Sequence, residues 1–106
     1  MSMFGGRFPL FDRSPEWPKL RADWLKIEPI CQMCGTAKKL QVHHIKPVHL
    51  FSELEMAADN LITLCESTCR CHLFFGHLLL WAAWTSSVRM DVDWWREKIE
   101  HRRMER

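Results

Sequence analysis

Residues 43–77 of the chain read HHIKPVHLFSELEMAADNLITLCESTCRCHLFFGH. This segment holds most of the histidines of the 106-residue chain and three of its five cysteines. The doublet His43-His44 ends an alternating stretch, Leu40-Gln41-Val42-His43, which predicts a first strand. Because successive side chains of a strand point to opposite faces, one histidine of the doublet can face a metal ion while the other faces a substrate. We therefore expect a centre in which the two histidines have different roles.

The rest of this segment predicts a second strand and a helix. Asn60 begins a short apolar run, Leu61–Leu64, which predicts the second strand. The connection of residues 48–59 is expected to hold one helical turn at 53–57. From Cys71 to Leu80 the chain is nearly apolar on all sides, which is typical of a helix that is buried or that covers a partner. The sequence thus predicts an α+β fold with a core in residues 30–80.

An N-terminal helix is expected within residues 13–28. Ser14 followed by a proline is a typical helix start, because the side chain caps and the proline occupies the first helical position. The helix is predicted from about Pro15 to Lys26, and Pro29 ends it. One apolar stripe of this helix is expected to pack, because its members recur at helical spacing: Leu20, Trp24 and Ile27.

The two ends of the chain complete a single predicted domain of 1–106. Residues 1–12 are expected to form an irregular arm. A C-terminal helix is expected within residues 88–104, with Asp91 capping its main part at about 92–103. In this helix the apolar side chains are expected to pack while the charges face water: Trp94, Trp95 and Ile99.

Composition and charge exclude several classes of protein. The net charge is only +2, which excludes a bulk polycation, and 47% of the residues are hydrophobic, which argues against disorder. Residues 1–10 show no secretory signal. The apolar run of residues 73–84 is too short to span a membrane and is interrupted by Gly76 and His77, so no membrane role is expected.

The cysteines predict a structural zinc site. Cys31-x-x-Cys34 is typical of a zinc knuckle in a reducing compartment. The second pair of ligands has three candidates for two places, and we predict Cys65 with Cys71. The alternative is that Cys69 ligates in place of Cys71, which would then be a buried thiol.

The histidines predict a second metal centre of a different kind. Two strand histidines, His43 and His44, together with His72 at a helix start can hold a divalent ion and leave positions open for water and substrate oxygens. His77 lies five residues beyond His72, which is about 140° around a regular helix. Unless Gly76 distorts the helix, His77 is an outer ligand, a phosphate contact or a packed histidine, and direct ligation stays equally open.

These motifs, taken in order, resemble those of the HNH endonucleases, especially compact bacterial and phage members with a four-cysteine zinc site. The resemblance covers about residues 30–77, and the flanking sequences 14–18 and 76–81 are similar to one such subgroup. The motifs that carry it are Cys31-x-x-Cys34, Leu40-x-Val42-His43-His44-Ile45-x-Pro47, Asn60-Leu61-Ile62-Thr63-Leu64-Cys65 and Cys71-His72. The family fold is a ββα-metal unit, two strands and a helix that clasp one catalytic ion.

The resemblance also implies roles for individual residues. His43 and His72 would be the metal ligands, with His77 as a further candidate, and His44 would be the general base. Asn60 would hydrogen-bond the loop that carries His44. The implied reaction is the hydrolysis of DNA to 5′-phosphate and 3′-hydroxyl ends, with Mg²⁺, Mn²⁺, Ni²⁺ or Zn²⁺ as the catalytic ion. The implied setting is the cytoplasm of a bacterium or of a phage host.

Two other functions remain open at this point. One is a zinc-stabilised DNA-binding module without catalysis, in which the histidines only contact phosphates or pack. The other is an interaction domain whose helices, rich in tryptophan and leucine, bind a protein partner. The predicted apolar helix of residues 73–84 also leaves room for a homodimer, although filling the core of a small domain explains it as well.

Overall fold

The structure is a computed structural model that describes residues 13–104, so the predicted arm of residues 1–12 lies outside the described residues. In chain order it contains a helix α1, strands β1 and β2, a π-helical turn that we call the π turn, and a helix α2. Two short 3₁₀ turns lie between the strands. The bounds are α1 Trp17–Ile27, β1 Leu40–His44, 3₁₀ turns Ser52–Leu54 and Ala58–Asn60, β2 Leu61–Cys65, π turn His72–Gly76 and α2 Val88–Met104.

The two strands form an antiparallel sheet whose register sets the position of the histidine doublet. Leu40 pairs with Cys65 at one end, and His44 pairs with Leu61 at the other. All five residues of β2 are buried, whereas β1 is buried only from Val42 onward. The predicted α+β class is therefore confirmed.

The core of the molecule lies between this sheet, the cysteines and the start of α2. The buried cluster contains Cys31, Met33, Ile45, Ile62, Leu64, Cys65, Cys71, Val88 and Val92. Three cysteines thus belong to the hydrophobic core itself. A small domain buries little apolar surface, so a site built into its core contributes a large share of its stability.

Helix α1 begins two residues later than the sequence predicts. The Ser14 hydroxyl oxygen accepts the N–H of Glu16 at 3.1 Å, and the Ser14 carbonyl accepts that of Trp17 at 2.9 Å, so Ser14 closes a turn in front of the helix instead of capping it. The predicted apolar stripe is partly wrong, because Ile27 is 73% exposed. Trp24 does reach the sheet, where its indole N–H donates to the Thr63 hydroxyl at 3.1 Å.

The connection between the strands also differs from the prediction. Instead of one turn at 53–57 it contains two 3₁₀ turns, and the second of them ends at Asn60. The N–H of Ile45 donates to the Asn60 carbonyl at 2.8 Å. The connection is thereby tied to the end of β1, next to the histidine doublet.

The predicted helix after Cys71 is wrong beyond one turn. The π turn stops at Gly76, and two left-handed residues follow, Leu78 at φ +52° and Leu79 at φ +72°. A left-handed backbone cannot continue a right-handed helix. Residues 78–81 are consequently exposed, at 52–64%, and are not buried in a core.

This correction removes the helix that left room for a homodimer in the sequence. The residues in question form turns without a continuous helical face, and nothing in the structure of residues 13–104 supports a homodimer. Within the same residues, no helix is long and apolar enough to cross a membrane.

Helix α2 is anchored at its start and exposed beyond it. Its buried residues are Val88 and Val92, while Trp94 and Trp95 are 55% and 44% exposed, so the prediction that they pack is wrong. The predicted cap, Asp91, lies in the first turn and accepts a hydrogen bond from the Ser87 hydroxyl at 3.0 Å. Arg89 forms an ion pair with Glu28 at 3.0 Å, and Glu28 also accepts the backbone N–H of Thr63 at 2.7 Å.

Candidate metal centres

The first candidate centre is a cluster of four cysteines. Their sulfur atoms all lie within 4.8 Å of one another, and the cluster consists of Cys31, Cys34, Cys65 and Cys71. Cys31 and Cys34 come from a tight turn in which Gly35 takes a φ of +81° and donates its N–H to the Cys31 carbonyl at 2.9 Å. Cys69, the alternative ligand in the sequence analysis, is exposed and is not in the cluster.

The electrostatics of these thiols suit a bound cation. The hydrogen bond from Cys71 lowers the pKa of Cys31 to about 4, whereas burial raises the pKa of Cys34 to about 12. The pKa of Cys71 is raised as well, chiefly by its hydrogen bond to Cys31. One thiolate therefore discourages the ionisation of its neighbours. A divalent ion would supply the positive charge that lets several thiolates form together, and four sulfurs are a donor set that fits zinc.

The second candidate centre is a cluster of three histidines. His43 comes from β1, His72 begins the π turn and His77 follows it directly. One ring nitrogen of each lies within 4.8 Å of the others. His72 Nε2 is 3.0 Å from His43 Nδ1 and 3.2 Å from His77 Nε2. The structure thus brings together the predicted pair, His43 and His72, and adds His77.

The π turn explains how His77 joins this cluster. Residues five apart are on different sides of an α-helix, but a π-helical turn closes its hydrogen bond between residues i and i+5. The N–H of His77 donates to the His72 carbonyl at 3.1 Å, so the two side chains stand on the same side. Gly76 makes room for the ring of His43, because a Cβ at position 76 would lie 3.1 Å from that imidazole.

The hydrogen bonds that His72 and His77 make on the outside of the cluster determine which ring nitrogen of each carries a lone pair. The Nδ1–H of His72 donates to Glu66 Oε2 at 3.0 Å, and the Nδ1–H of His77 donates to the Ala83 carbonyl at 2.9 Å. Each Nε2 then carries a lone pair, and these two lone pairs face each other. Such an arrangement is repulsive unless a cation lies among the rings, and outer partners of this kind are typical of metal-binding histidines.

Burial keeps His43 and His72 neutral, which metal binding requires. It lowers the pKa of His43 to about 3, with a further contribution from His72 and His77. It also lowers the pKa of His72, against the opposing effect of Glu66. Within residues 13–104, His43 Nε2 is buried without a hydrogen-bond partner. The donor set and its protonation therefore fit a divalent ion.

His44 points away from the cluster and is held separately. Its Nε2–H donates to the carbonyl of Glu55 at 2.9 Å, and its ring packs on Trp17 with the centroids 4.5 Å apart. This hydrogen bond leaves the lone pair on Nδ1. Burial lowers the pKa of His44, although the bond to the Glu55 carbonyl acts in the opposite direction. The ring is thereby a neutral imidazole of defined orientation.

Asn60 fixes the loop that follows the doublet. Its Oδ1 accepts the N–H of Lys46 at 2.8 Å, and its Nδ2 donates to the Lys46 carbonyl at 3.1 Å and to that of Leu54 at 3.3 Å. A side-chain amide that pairs with both backbone groups of one residue imitates a strand partner. The Asn60 side chain therefore continues the hydrogen-bond pattern of the sheet just beyond His44.

The histidine cluster and His44 both line one cavity of about 500 Å³, which we call the cleft. Its walls also carry two arginines, Arg13 and Arg21, and three tryptophans. The histidines that line it are His43, His44, His49, His72 and His77, and the tryptophans are Trp17, Trp81 and Trp84. A small molecule or a nucleotide segment can therefore reach the histidine cluster and His44 at the same time.

Two antiparallel strands, a helical turn after them and clustered cysteine and histidine ligands define a small ββα-metal domain. In the comparison with protein families, residues 31–73 match the model described as HNH endonuclease. Residues 31–73 are therefore similar to the HNH endonucleases, and the four clustered cysteines support the zinc type of that family. Comparisons with curated proteins and with solved structures gave no match.

Several residues of the site carry no signal that the sequence analysis used. Glu55, Glu66 and Ala83 hold histidine rings from six or more residues away, two of them through backbone carbonyls. A carbonyl partner has no side-chain type that a pattern could reveal. Gly76 was the one visible signal, because a distortion of the helix at this glycine was the condition under which His77 would ligate directly.

Proposed function

We propose that the protein is a metal-dependent DNA endonuclease that hydrolyses phosphodiester bonds and leaves 5′-phosphate and 3′-hydroxyl ends. The observation that carries this proposal is the convergence of three imidazole nitrogens in a cleft that His44 also lines. A binding module gives no reason for a neutral, oriented base beside a second metal centre. The match of residues 31–73 to the HNH endonuclease model supports the same reaction class.

His44 is the general base in this proposal. Its Nδ1 lone pair takes a proton from a water molecule, and the resulting hydroxide attacks phosphorus as the bond to the 3′ oxygen breaks. The 3′ oxygen leaves as the hydroxyl after it gains a proton from solvent. The Glu55 carbonyl and the Trp17 ring keep the imidazole oriented, and its lowered pKa keeps it unprotonated near neutral pH.

Asn60 is a positioning residue in this proposal. By pairing with both backbone groups of Lys46 it holds the end of β1, so His44 keeps its place relative to His43. A displacement of about 1 Å at a reacting group is enough to lower a rate by about two orders of magnitude. The support for this role is geometric, because Asn60 itself contacts only backbone atoms.

The histidine cluster would hold the catalytic ion through His43, His72 and His77. When bound, a divalent ion supplies Lewis-acid chemistry, the positive charge that stabilises phosphate oxygens and the leaving 3′ oxygen. Mg²⁺, Mn²⁺, Ni²⁺ and Zn²⁺ are all candidates, and three imidazoles favour the last two by ligand type. The four cysteines would hold a structural Zn²⁺. The free thiols that this requires support a setting in the reducing cytoplasm of a bacterium or a phage host.

The test is the cleavage of a supercoiled plasmid by the purified protein. After treatment with EDTA we expect no cleavage, and we expect nicked or linear products when Mg²⁺, Mn²⁺, Ni²⁺ or Zn²⁺ is added back. Nicked products should be sealed by a DNA ligase without prior phosphorylation, because the ends would be 5′-phosphate and 3′-hydroxyl. DNA binding without cleavage under every metal would instead favour a zinc-stabilised binding module.

A further inference from the structure

The cleft has more aromatic surface than the hydrolysis of a phosphodiester requires. Three tryptophans line it, and two of them contact the histidines of the site. Trp17 packs on His44 at 4.5 Å between centroids, and Trp81 lies 5.3 Å from His72 and 5.0 Å from His77. An indole therefore stands beside the general base and another beside the candidate metal ligands.

Trp81 is not a core residue that happens to lie nearby. It remains 52% exposed while it contacts the histidine cluster, and the buried core of the domain is formed by other residues. A large indole left half in solvent at the rim of a cleft has an unused face. Such surfaces typically mark binding sites when they adjoin polar and charged groups.

The backbone that presents Trp81 is strained in an unusual way. Leu78 and Leu79 both have positive φ values, +52° and +72°, although neither is a glycine. The N–H of Leu79 donates to the Leu73 carbonyl at 2.8 Å, and that of Leu80 donates to the His77 carbonyl at 3.0 Å, so the strained turn is held in place. Strain of this kind concentrates at functional sites. Here it holds the exposed residues 78–81 in place, and Trp81 among them lines the cleft.

The same cleft carries positive charge. Arg13 and Arg21 both line it, and the Arg13 guanidinium lies 5.9 Å from the Trp17 ring centroid. Cations that attract a phosphate backbone, alternating with aromatic rings on which bases stack, are typical of sites for single-stranded nucleic acid. In an intact duplex the faces of the bases are hidden in the stack, and only phosphates and groove edges are offered. The exposed face of Trp81 would then contact nothing that suits it.

We infer that the cleft takes DNA with at least one unpaired base next to the scissile phosphate, and that Trp81 is the principal surface on which this base stacks. This inference rests on the proposed function and names the substrate class of the same site. Single strands, bulges, mismatches and branch points share this chemistry. A fully paired duplex is then the poorer substrate.

The test compares three DNA molecules that contain the same scissile sequence: a single strand, a duplex with a one-base bulge, and the full duplex. Binding is measured by fluorescence anisotropy on protein that keeps zinc at its cysteines, with no other metal added, and cleavage is measured separately with Mn²⁺. We expect the single-stranded and bulged DNA to bind and to be cleaved at least tenfold better than the duplex. Trp81→Ala should remove most of this preference, and Trp81→Phe should restore it in part.

Trp94→Ala is the matched control, because Trp94 is 55% exposed, close to the 52% of Trp81, but lies on α2 and does not line the cleft. We expect it to leave the preference unchanged. Metal binding by Trp81→Ala is measured in parallel, since loss of the ion from the histidines would explain reduced cleavage but not reduced binding without added Mn²⁺. Equal binding and cleavage of the three DNA molecules, or equal losses in both variants, overturns the inference and leaves the proposed function intact. Absence of cleavage with every metal counts against the proposed function, while the binding comparison still decides the inference.

Discussion

The cysteine cluster and the histidine cluster show how differently one small chain can build two ligand sets. The cysteine cluster offers four sulfurs, and three of its residues are buried in the hydrophobic core. The histidine cluster offers three nitrogens and opens into the cleft. Four protein ligands fill the tetrahedron of a zinc ion, whereas three leave a position for water or substrate. Ligand number and burial thus divide the two clusters into a closed centre and an open one.

The two clusters also depend on different parts of the backbone. The cysteines sit at the end of β2, at the start of the π turn and on the Cys31–Cys34 turn, so they tie the core together. The histidines depend on the π turn and on the strained residues after it. Damage to the first cluster should therefore unfold the domain, and damage to the second should leave a folded but inactive protein.

The largest effect is expected from Cys31→Ala. Structural zinc contributes about 10–16 kcal/mol of apparent binding free energy in zinc-finger peptides. This is as large as the whole free energy of unfolding of a small domain. We expect loss of the bound zinc and of the cooperative unfolding transition, measured by metal analysis and thermal circular dichroism. Cys69→Ala is the control, because Cys69 is exposed and outside the cluster. Unchanged zinc content and melting in Cys31→Ala would refute the structural role.

A large effect of the other kind is expected from His44→Ala. Loss of a general base typically lowers a rate by about 100- to 10,000-fold, and we expect cleavage of supercoiled plasmid to fall within this range. The zinc content and the binding of the second ion should be unchanged, because His44 belongs to neither cluster. His44→Gln keeps a donor for the Glu55 carbonyl and guards against a simple packing defect. His101→Ala serves as the control on α2, and full cleavage by both His44 variants would reject the assigned base.

The sequence predicts the parts of the site that depend on local pattern. Alternation around Val42 and the apolar run after Asn60 predict the two strands, and the Cys31-x-x-Cys34 spacing predicts the turn that carries two sulfurs. These features are encoded within a few residues of one another. The antiparallel pairing that brings His43 opposite Ile62 spans the connection of residues 45–60, so its register is not encoded locally.

The remaining features depend on interactions that pattern does not show. An apolar run such as Leu73–Leu80 predicts a helix, but its pattern does not tell whether the first turn is α-helical or π-helical. Only the π-helical turn places His77 beside His72. Two left-handed leucines are equally unexpected from intrinsic preference. The tryptophans of α2 were predicted to pack because they are apolar, but Val88 and Val92 fill the available contact with the core.

Gly76, beside the histidine cluster, and Gly35, in the cysteine turn, offer a direct comparison between steric contact and backbone strain. Gly76→Ala would place a methyl group 3.1 Å from the His43 ring, and we expect the ring to shift and the histidine cluster to lose roughly 10- to 100-fold in metal affinity. Gly35→Ala meets no atom within 4 Å but must keep a φ of +81°. It should lower the free energy of unfolding by about 1–2 kcal/mol through the cysteine turn.

Titration of the histidine site with Mn²⁺ or Zn²⁺, after the cysteine site has been filled, measures the metal affinity of Gly76→Ala. Thermal unfolding measures the stability of Gly35→Ala. We expect Gly76→Ala to cleave DNA slowly and to melt near the wild-type temperature, and Gly35→Ala to show the reverse. If both variants lost stability and neither lost metal affinity at the histidines, the two clusters would not be separable in the way the structure indicates.

The smallest effect is expected from Glu66→Gln, which tests how the open centre is oriented. The Glu66 carboxylate accepts the Nδ1–H of His72 at 3.0 Å and thereby turns its Nε2 lone pair toward His43 and His77. A glutamine oxygen can still accept this bond but without the charge that makes His72 a more basic ligand. Because the Glu66 side chain is 43% exposed, we expect the lower end of the usual range for such partners, about a tenfold loss of metal affinity. Zinc at the cysteines should be unaffected, and Glu100→Gln on α2 should change neither centre. A loss as large as that of His72→Ala would mean that Glu66 is itself a ligand, which would make the open centre a mixed site of histidines and a carboxylate.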